Sequence, residues 1–425
     1  MRWLYSLALW LAQPLLKRKL QRRALVEPGY ALDIEERFGR YEGAPEPAGH
    51  PHPFVWLHAV SLGETRAGAV LIANLRAQYP GLRLLLTHGT ATGWEQGRAL
   101  LREGDVQAWQ PWDTPGAVQR FLAQFKPRIG LLMETEVWPN MVAACAKARV
   151  PLCLVNARMS EKSMRKALRL RWLSRPAYAG LHTVLAQTED DARRLRLLGA
   201  GVQAVTGNLK FDATPDAALL ARGRAWRATS ARAVLMFTSS REGEEQMLID
   251  ALRARPMTDV QWLIVPRHPQ RFDAVAALLQ AAGFTVSRRS AWQDAPQPAD
   301  IWLGDSLGEM ALYYGLADAA LLGGSFAPLG GQNLIEAAAC ACPVLMGPHT
   351  FNFAQAAESA QVEGAAMRCV DLKHALVQGG ALVADPALLA RSRQAALAWS
   401  LAHQGATRRT LQALDGLLIY QEKAL

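Results

Sequence analysis

The chain has 425 residues, half of them hydrophobic and 20% charged, with 47 Lys and Arg against 37 Asp and Glu for a formal charge of +10. That length is too great for one ordinary hydrophobic core and fits two domains, and the apolar content excludes a disordered or coiled-coil chain. The surplus of cations points to anionic partners: phospholipid headgroups, phosphorylated glycolipids or nucleic acid.

Trp3 to Leu16 reads WLYSLALWLAQPLL and is followed at once by Lys17, Arg18, Lys19, Arg22 and Arg23. The run is short of the about 20 apolar residues that span a bilayer. Its order, apolar first and basic second, is the reverse of a signal peptide. It predicts a helix that spans the membrane or lies in its interface, with Trp3, Tyr5 and Trp10 at headgroup level and the basic flank on anionic lipid. A helix packed on the protein's own body is the other reading.

After a Pro/Gly-rich connector, Gly43 to Pro53, short apolar runs alternate with helical patterns. Strands are expected at Phe54–Val60, Leu82–Thr87, Arg128–Met133, Pro151–Asn156, Thr183–Ala186 and Val202–Val205, with helices at Glu64–Gln78, around Arg98 and at Asn140–Ala148. The alternation weakens between Gly207 and Arg232, then restarts. The later strands are Ala233–Phe237, Gln261–Val265, Phe284–Val286, Ile301–Leu303, Ala319–Leu322, Val344–Met346 and Ala365–Val370. Such spacing means parallel sheet with crossover helices. The expected organisation is an α/β chain with an N-terminal membrane-associated segment (1–25), a Rossmann-like domain (26–206), a linker (207–232) and a second Rossmann-like domain (233–425). Two such sheets facing a cleft are the GT-B architecture, with ligands beyond the carboxyl ends of the strands.

Four motifs stand at those ends. In Ser61-Leu62-Gly63-Glu64 the carboxylate falls at a helix N-terminus, as a general base or simply as a partner of the helix dipole. Met133-Glu134-Thr135-Glu136 places two carboxylates two residues apart, either a reactive pair or a solvated loop. Pro266-Arg267-His268-Pro269 holds an arginine suited to a phosphate or a pyrimidine carbonyl, with His268 catalytic or structural. Gly323-Gly324-Ser325, followed by Gly330-Gly331-Gln332-Asn333-Leu334-Ile335-Glu336, offers backbone N–H groups and a helix expected to begin near Asn333, a phosphate-binding pattern that also serves as a plain turn. Glu336 is placed to accept ribose hydroxyls. The five cysteines lack metal-ligand spacing and read as reduced core thiols, and His50 and His52 have no supporting ligands nearby. No phosphate-loop, HExxH or Asp-x-Asp motif is present.

Taken together, WLHAVSLGE (56–64), METEVWPN (133–140), VNARMS (155–160), GNLKFD (207–212), VPRHPQRF (265–272), GDSLGEM (304–310), GGSFAPLGGQN (323–333) and VLMGPHTFNF (344–353) resemble the Kdo transferases of lipopolysaccharide biosynthesis. The resemblance covers essentially the whole chain. It implies an inverting, metal-independent enzyme without a cofactor, moving Kdo from CMP-Kdo to a tetra-acylated lipid A precursor at the cytoplasmic side of a Gram-negative inner membrane. It also implies Glu64 as general base, Glu134 and Lys210 as supports of the transition state, and CMP contacts at Pro266, Arg267, Leu307, Gly308, Glu309 and Asn333 to Glu336. Gln332 stands where the family commonly has His, and Leu334-Ile335-Glu336-Ala337 departs from its Pro-bearing pattern. A GT-B enzyme using a UDP-sugar and a lipid acceptor, and a non-catalytic basic protein binding membrane or nucleic acid, are the competing readings. The resemblance itself implies no nucleic-acid partner.

Overall fold

The computed structural model describes residues 2–41 and 53–419. His50, His52 and most of the Gly43–Pro53 connector lie outside them. The chain divides into two compact units, Met1–Asp212 with Gln404–Leu425, and Ala213–His403.

In the first unit β1 (Phe54–His58), β2 (Arg83–His88), β3 (Val106–Trp109), β4 (Ile129–Met133), β5 (Leu152–Ala157), β6 (Thr183–Ala186) and β7 (Val202–Val205) form a parallel sheet of order β3-β2-β1-β4-β5-β6-β7. In the second, β8 (Ala233–Ser240), β9 (Val260–Pro266), β10 (Val286–Arg288), β11 (Ile301–Leu303), β12 (Ala319–Leu322), β13 (Val344–Met346) and β14 (Ala366–Arg368) form another, of order β10-β11-β9-β8-β12-β13-β14. The central strands are mostly apolar because both of their faces are covered; β1, β2, β4 and β5 are buried at every residue. Burying each large apolar side chain contributes about 1.5–3 kcal/mol. Trp56, wholly buried, adds a hydrogen bond from its Nε1 to Thr87 Oγ1 at 2.8 Å.

Three features differ from the expected organisation. The strand β3 was not among the expected ones, since its four residues include Gln107 and sit between polar segments. Within the expected linker, Ala217–Thr229 is a helix capped by Asp216, which accepts from Ala218 and Leu219 N–H. It lies so close to the helix Met310–Leu316 that a Cβ on Gly223 would meet Leu312 O at 2.1 Å.

Gln404–Leu425, placed by the sequence with the second domain, belongs to the first unit. Its helix Ala406–Ile419 carries Ala406, Leu411, Leu414 and Leu418 into the cluster formed by Leu57, Leu71, Leu86 and Leu131. Asp212 anchors the start of that helix by accepting from the backbone N–H of Gly405 and Thr407.

The N-terminal helix runs Arg2–Ala24. One side packs on the first unit: Tyr5 bonds to Asp113, Ser6 Oγ donates to Asn140 Oδ1 at 3.1 Å, and Lys17 pairs with Glu35 at 2.7 Å. The other side leaves Trp3, Leu4, Leu7, Trp10, Leu11 and Leu15 exposed. No helix among the described residues is long and apolar enough to cross a membrane.

Candidate active site

The strand order of the first sheet reverses between β1 and β4, and the motifs carrying Glu64 and Glu134 follow these two strands. Such a reversal leaves a crevice beyond the carboxyl ends.

Glu64 sits in the first turn of the helix Leu62–Gln78, where Ser61 is the N-cap. Its Oε2 accepts from Val60 N–H at 2.9 Å, and Ser61 Oγ donates to Oε1 at 3.2 Å. Burial, then the neighbouring charge of Glu134, pushes the carboxyl up to about 7 against the Val60 hydrogen bond. A carboxyl in that range exchanges a proton readily at neutral pH, which plain dipole stabilisation does not require.

Glu134, wholly buried apart from 3% of its surface, has φ +57°, a left-handed conformation that costs a non-glycine residue about 1–2 kcal/mol. Its oxygens are divided between two cations, Oε1 with Lys210 Nζ at 2.7 Å and Oε2 with Arg158 Nε at 2.7 Å. Burial raises its pKa, but the Lys210 and Arg158 charges together outweigh that and hold the carboxyl below its ordinary value. Glu134 is therefore a fixed anion and Glu64 a titrating group, two neighbouring carboxyls driven apart by their surroundings. Glu136 is half-buried, and burial raises its pKa, while Thr135 between the two carboxylates is exposed.

Lys210 lies in the short 3-10 turn Leu209–Asp212 after β7. The turn is held by Asn156, wholly buried with φ +51° at the end of β5, whose Oδ1 accepts from Leu209 N–H at 3.0 Å. Asn156 and Arg158 had no role assigned from the sequence. A cation directly after β5, the strand that neighbours β4, was the available signal.

In the second unit the strand order reverses between β8 and β12. Gly323, Gly324 and Ser325 follow β12, where a Cβ on Gly323 would meet Ser239 O at 2.2 Å and Gly324 has φ +71°. Beneath this turn lies Glu244, wholly buried, which accepts from Gly324 N–H at 2.7 Å, Arg241 N–H at 2.9 Å, Phe326 N–H at 3.2 Å and Ala327 N–H at 3.3 Å. Glu245, also wholly buried, receives Ser240 Oγ at 2.7 Å and the Arg271 guanidinium at 2.8 and 2.9 Å. Sequence reasoning missed both carboxylates.

Pro266 closes β9, and Arg267 donates through Nε to Gln332 Oε1 at 3.1 Å. Gln332, the departure from the family pattern, thus orients the arginine expected to meet phosphate. Leu307 is exposed, Gly308 has φ +81°, and Glu309 pairs with Arg289 at 2.8 Å and Arg222 at 3.1 Å. The helix expected from Asn333 begins instead at Ile335 and ends at Ala339. Asn333 Oδ1 takes the Ile335 N–H at 3.1 Å, which delays the first helical turn, and Leu334 is buried. Glu336 lies within that helix. All five cysteines are buried and free, and among the described residues no three His, Cys, Asp or Glu are grouped to hold a metal.

Residues 33–213 match the family model described as 3-deoxy-D-manno-octulosonic-acid transferase (kdotransferase). A 3-deoxy-D-manno-octulosonic acid transferase of Bordetella pertussis is 49% identical over 98% of this chain and 99% of that protein. The one from Haemophilus influenzae is 32% identical over 83% of each. A solved glycosyltransferase from Rickettsia africae shares the fold over 86% of this chain and 99% of its own, with a TM-score of 0.57 at 14% identity.

Proposed function

This chain belongs to the 3-deoxy-D-manno-octulosonic-acid (Kdo) transferase family, glycosyltransferases of lipopolysaccharide biosynthesis, and on that premise we propose that it moves Kdo from CMP-Kdo to a tetra-acylated lipid A precursor, lipid IVA. Glu64 takes the proton of the acceptor hydroxyl as its oxygen bonds to the anomeric carbon. The bond from that carbon to the phosphate oxygen breaks, its electron pair leaves with CMP, and the anomeric configuration inverts. Glu134, kept ionised by Lys210 and Arg158, supplies a fixed negative charge for an oxocarbenium-like transition state. The leaving group carries a single phosphate, for which Arg267 is the candidate partner, without a metal or cofactor; the Gly323 and Gly324 N–H groups are already taken by Thr238 O and Glu244. The observation that carries the reading is the pair of carboxyls at the β1/β4 reversal, one raised to about 7 and its neighbour held anionic.

The exposed Trp3, Trp10, Leu11 and Leu15, followed along the same helix by Arg18, Lys19, Arg22 and Arg23, support a place on the cytoplasmic face of the inner membrane. There the helix lies in the interface, its apolar side among acyl chains and its cations on anionic headgroups.

The test is Kdo transfer from freshly generated CMP-Kdo to lipid IVA with EDTA present, wild type beside Glu64→Gln. Transfer by the wild type and its loss in a folded variant are the expected results. Full activity in the variant removes Glu64 from the chemistry. Activity abolished by EDTA and restored by a divalent cation refutes metal independence. Thermal stabilisation by UDP but not CMP refutes the donor.

A further inference from the structure

The end of β1 is clamped by the end of β2 in a way that the assigned chemistry leaves unused. Ala59 N–H donates to Thr87 O at 3.0 Å, and Ala59 O lies 2.9 Å from His88 Nδ1. The next carbonyl, Val60 O, accepts from Gly89 N–H at 3.2 Å, Thr90 N–H at 3.0 Å and Thr90 Oγ1 at 2.9 Å. Val60 N–H in turn donates to Glu64 Oε2. One peptide group therefore joins an imidazole to a carboxylate, with its oxygen on His88 and its N–H on Glu64.

We propose that His88 is a positioning residue for the general base, holding the Ala59–Val60 peptide so that its N–H stays aimed at Glu64 Oε2. The inference rests on the assignment of Glu64 as base. A carbonyl oxygen only accepts, so Nδ1 of His88 carries the proton and Nε2 does not. The ring is wholly buried, and its Nε2 has no hydrogen-bond partner among the described residues. Gly97 makes room for it, since a Cβ there would meet Nε2 at 2.3 Å.

The groups facing His88 favour a neutral ring. Thr65 Oγ1 lies 3.4 Å from Nδ1, and Trp94 meets the ring edge-on. His58 on β1 is a second buried imidazole, its own Nε2 also without a partner among the described residues. Burial lowers His88 to about 4, so it neither gains nor loses a proton at neutral pH. Its effect on catalysis is through orientation and polarisation of one peptide, which strengthens the hydrogen bond on the far side. Glu64 itself is faced by the charges of Glu134 and Glu136 and by the Ser61 hydroxyl. The Val60 N–H opposes the push of burial and those charges toward protonation.

Asn and Gln separate the proposal from a general need for a polar side chain. Asn carries an amide nitrogen where His has Nδ1, whereas Gln carries one where His has Nε2. In the full-length enzyme, His88→Gln is expected to lose about tenfold in kcat, the scale of one misdirected hydrogen bond, with KM for donor and acceptor almost unchanged. The acidic limb of its kcat/KM profile moves to higher pH, because the carboxylate has lost its N–H donor. His88→Asn restores both toward wild type. A wild-type kcat and acidic limb in a folded His88→Gln, while Glu64→Gln is inactive, overturns the positioning role alone. An Asn variant that falls as far as the Gln variant does the same. Full activity in Glu64→Gln overturns the base assignment and this inference with it.

Discussion

Replacing Lys210 with methionine keeps the length of the side chain and removes the ammonium 2.7 Å from Glu134 Oε1. At that distance the gross attraction is about 6 kcal/mol for an effective dielectric constant of about 20. Much of this offsets the desolvation of a carboxylate with 4% of its side chain exposed. Removing one partner of a buried pair costs about 3–5 kcal/mol. Arg158 remains on Oε2, and Lys210 keeps some contact with water, so the expected loss is about 2–3 kcal/mol at neutral pH. Glu134 titrates below its ordinary value in the wild type, so its pairing stabilises the fold above that value and stops doing so as the pH falls through the lowered pKa. In Lys210→Met the carboxyl protonates at higher pH, so the gap between the two proteins closes as the solution is acidified through the variant's pKa and then the wild type's. Urea unfolding at a series of pH values measures that gap, and Glu134→Gln completes a double-mutant cycle. A loss under about 1 kcal/mol at pH 7, or a loss that does not change with pH, refutes the picture of a buried anion held by two cations.

The raised Glu64 predicts the opposite pH dependence. The folded state binds its proton more tightly than the unfolded chain does, so the wild type loses stability as the pH rises from about 4.5 to about 7. Glu64→Gln is expected to be more stable by about 1–3 kcal/mol above pH 7 and unchanged below pH 4.5, measured by urea unfolding. Glu244→Gln replaces an acceptor of four N–H groups with an amide that turns one end into a donor; a loss of about 1–3 kcal/mol and a smaller thermal shift with CMP are expected by differential scanning fluorimetry. Trp10→Ser with Leu11→Ser removes two exposed apolar anchors from the N-terminal helix. Its expected effect is weaker sedimentation with anionic liposomes and unchanged thermal unfolding.

The parallel sheets were legible in the sequence because both faces of the central strands are covered, which writes those strands as largely apolar runs. β3 was not, since Val106–Trp109 is short and carries a glutamine in a lateral position of the sheet. The site was legible where chemistry falls on a motif at a strand end, as with Glu64, Glu134 and Arg267. The supporting residues were not. Glu244 and Glu245 sit in the stretch REGEEQ, which reads as a solvated charge run, and only tertiary contacts bring four N–H groups and a guanidinium onto them. His88 is hidden for a similar reason, because its partner is the carbonyl of Ala59 just past β1, and a backbone atom leaves no mark in a sequence.

The helix Ala406–Ile419 has a consequence for the order in which the molecule is made. A ribosome adding about 5–20 residues per second completes residue 212 roughly 10–40 s before this helix emerges. Throughout that interval the face of the first sheet that will receive Leu411, Leu414 and Leu418 stands uncovered, although every strand of the sheet already exists. The nascent first unit thus lacks part of its apolar cluster, which is completed only after the second unit has been synthesised in full.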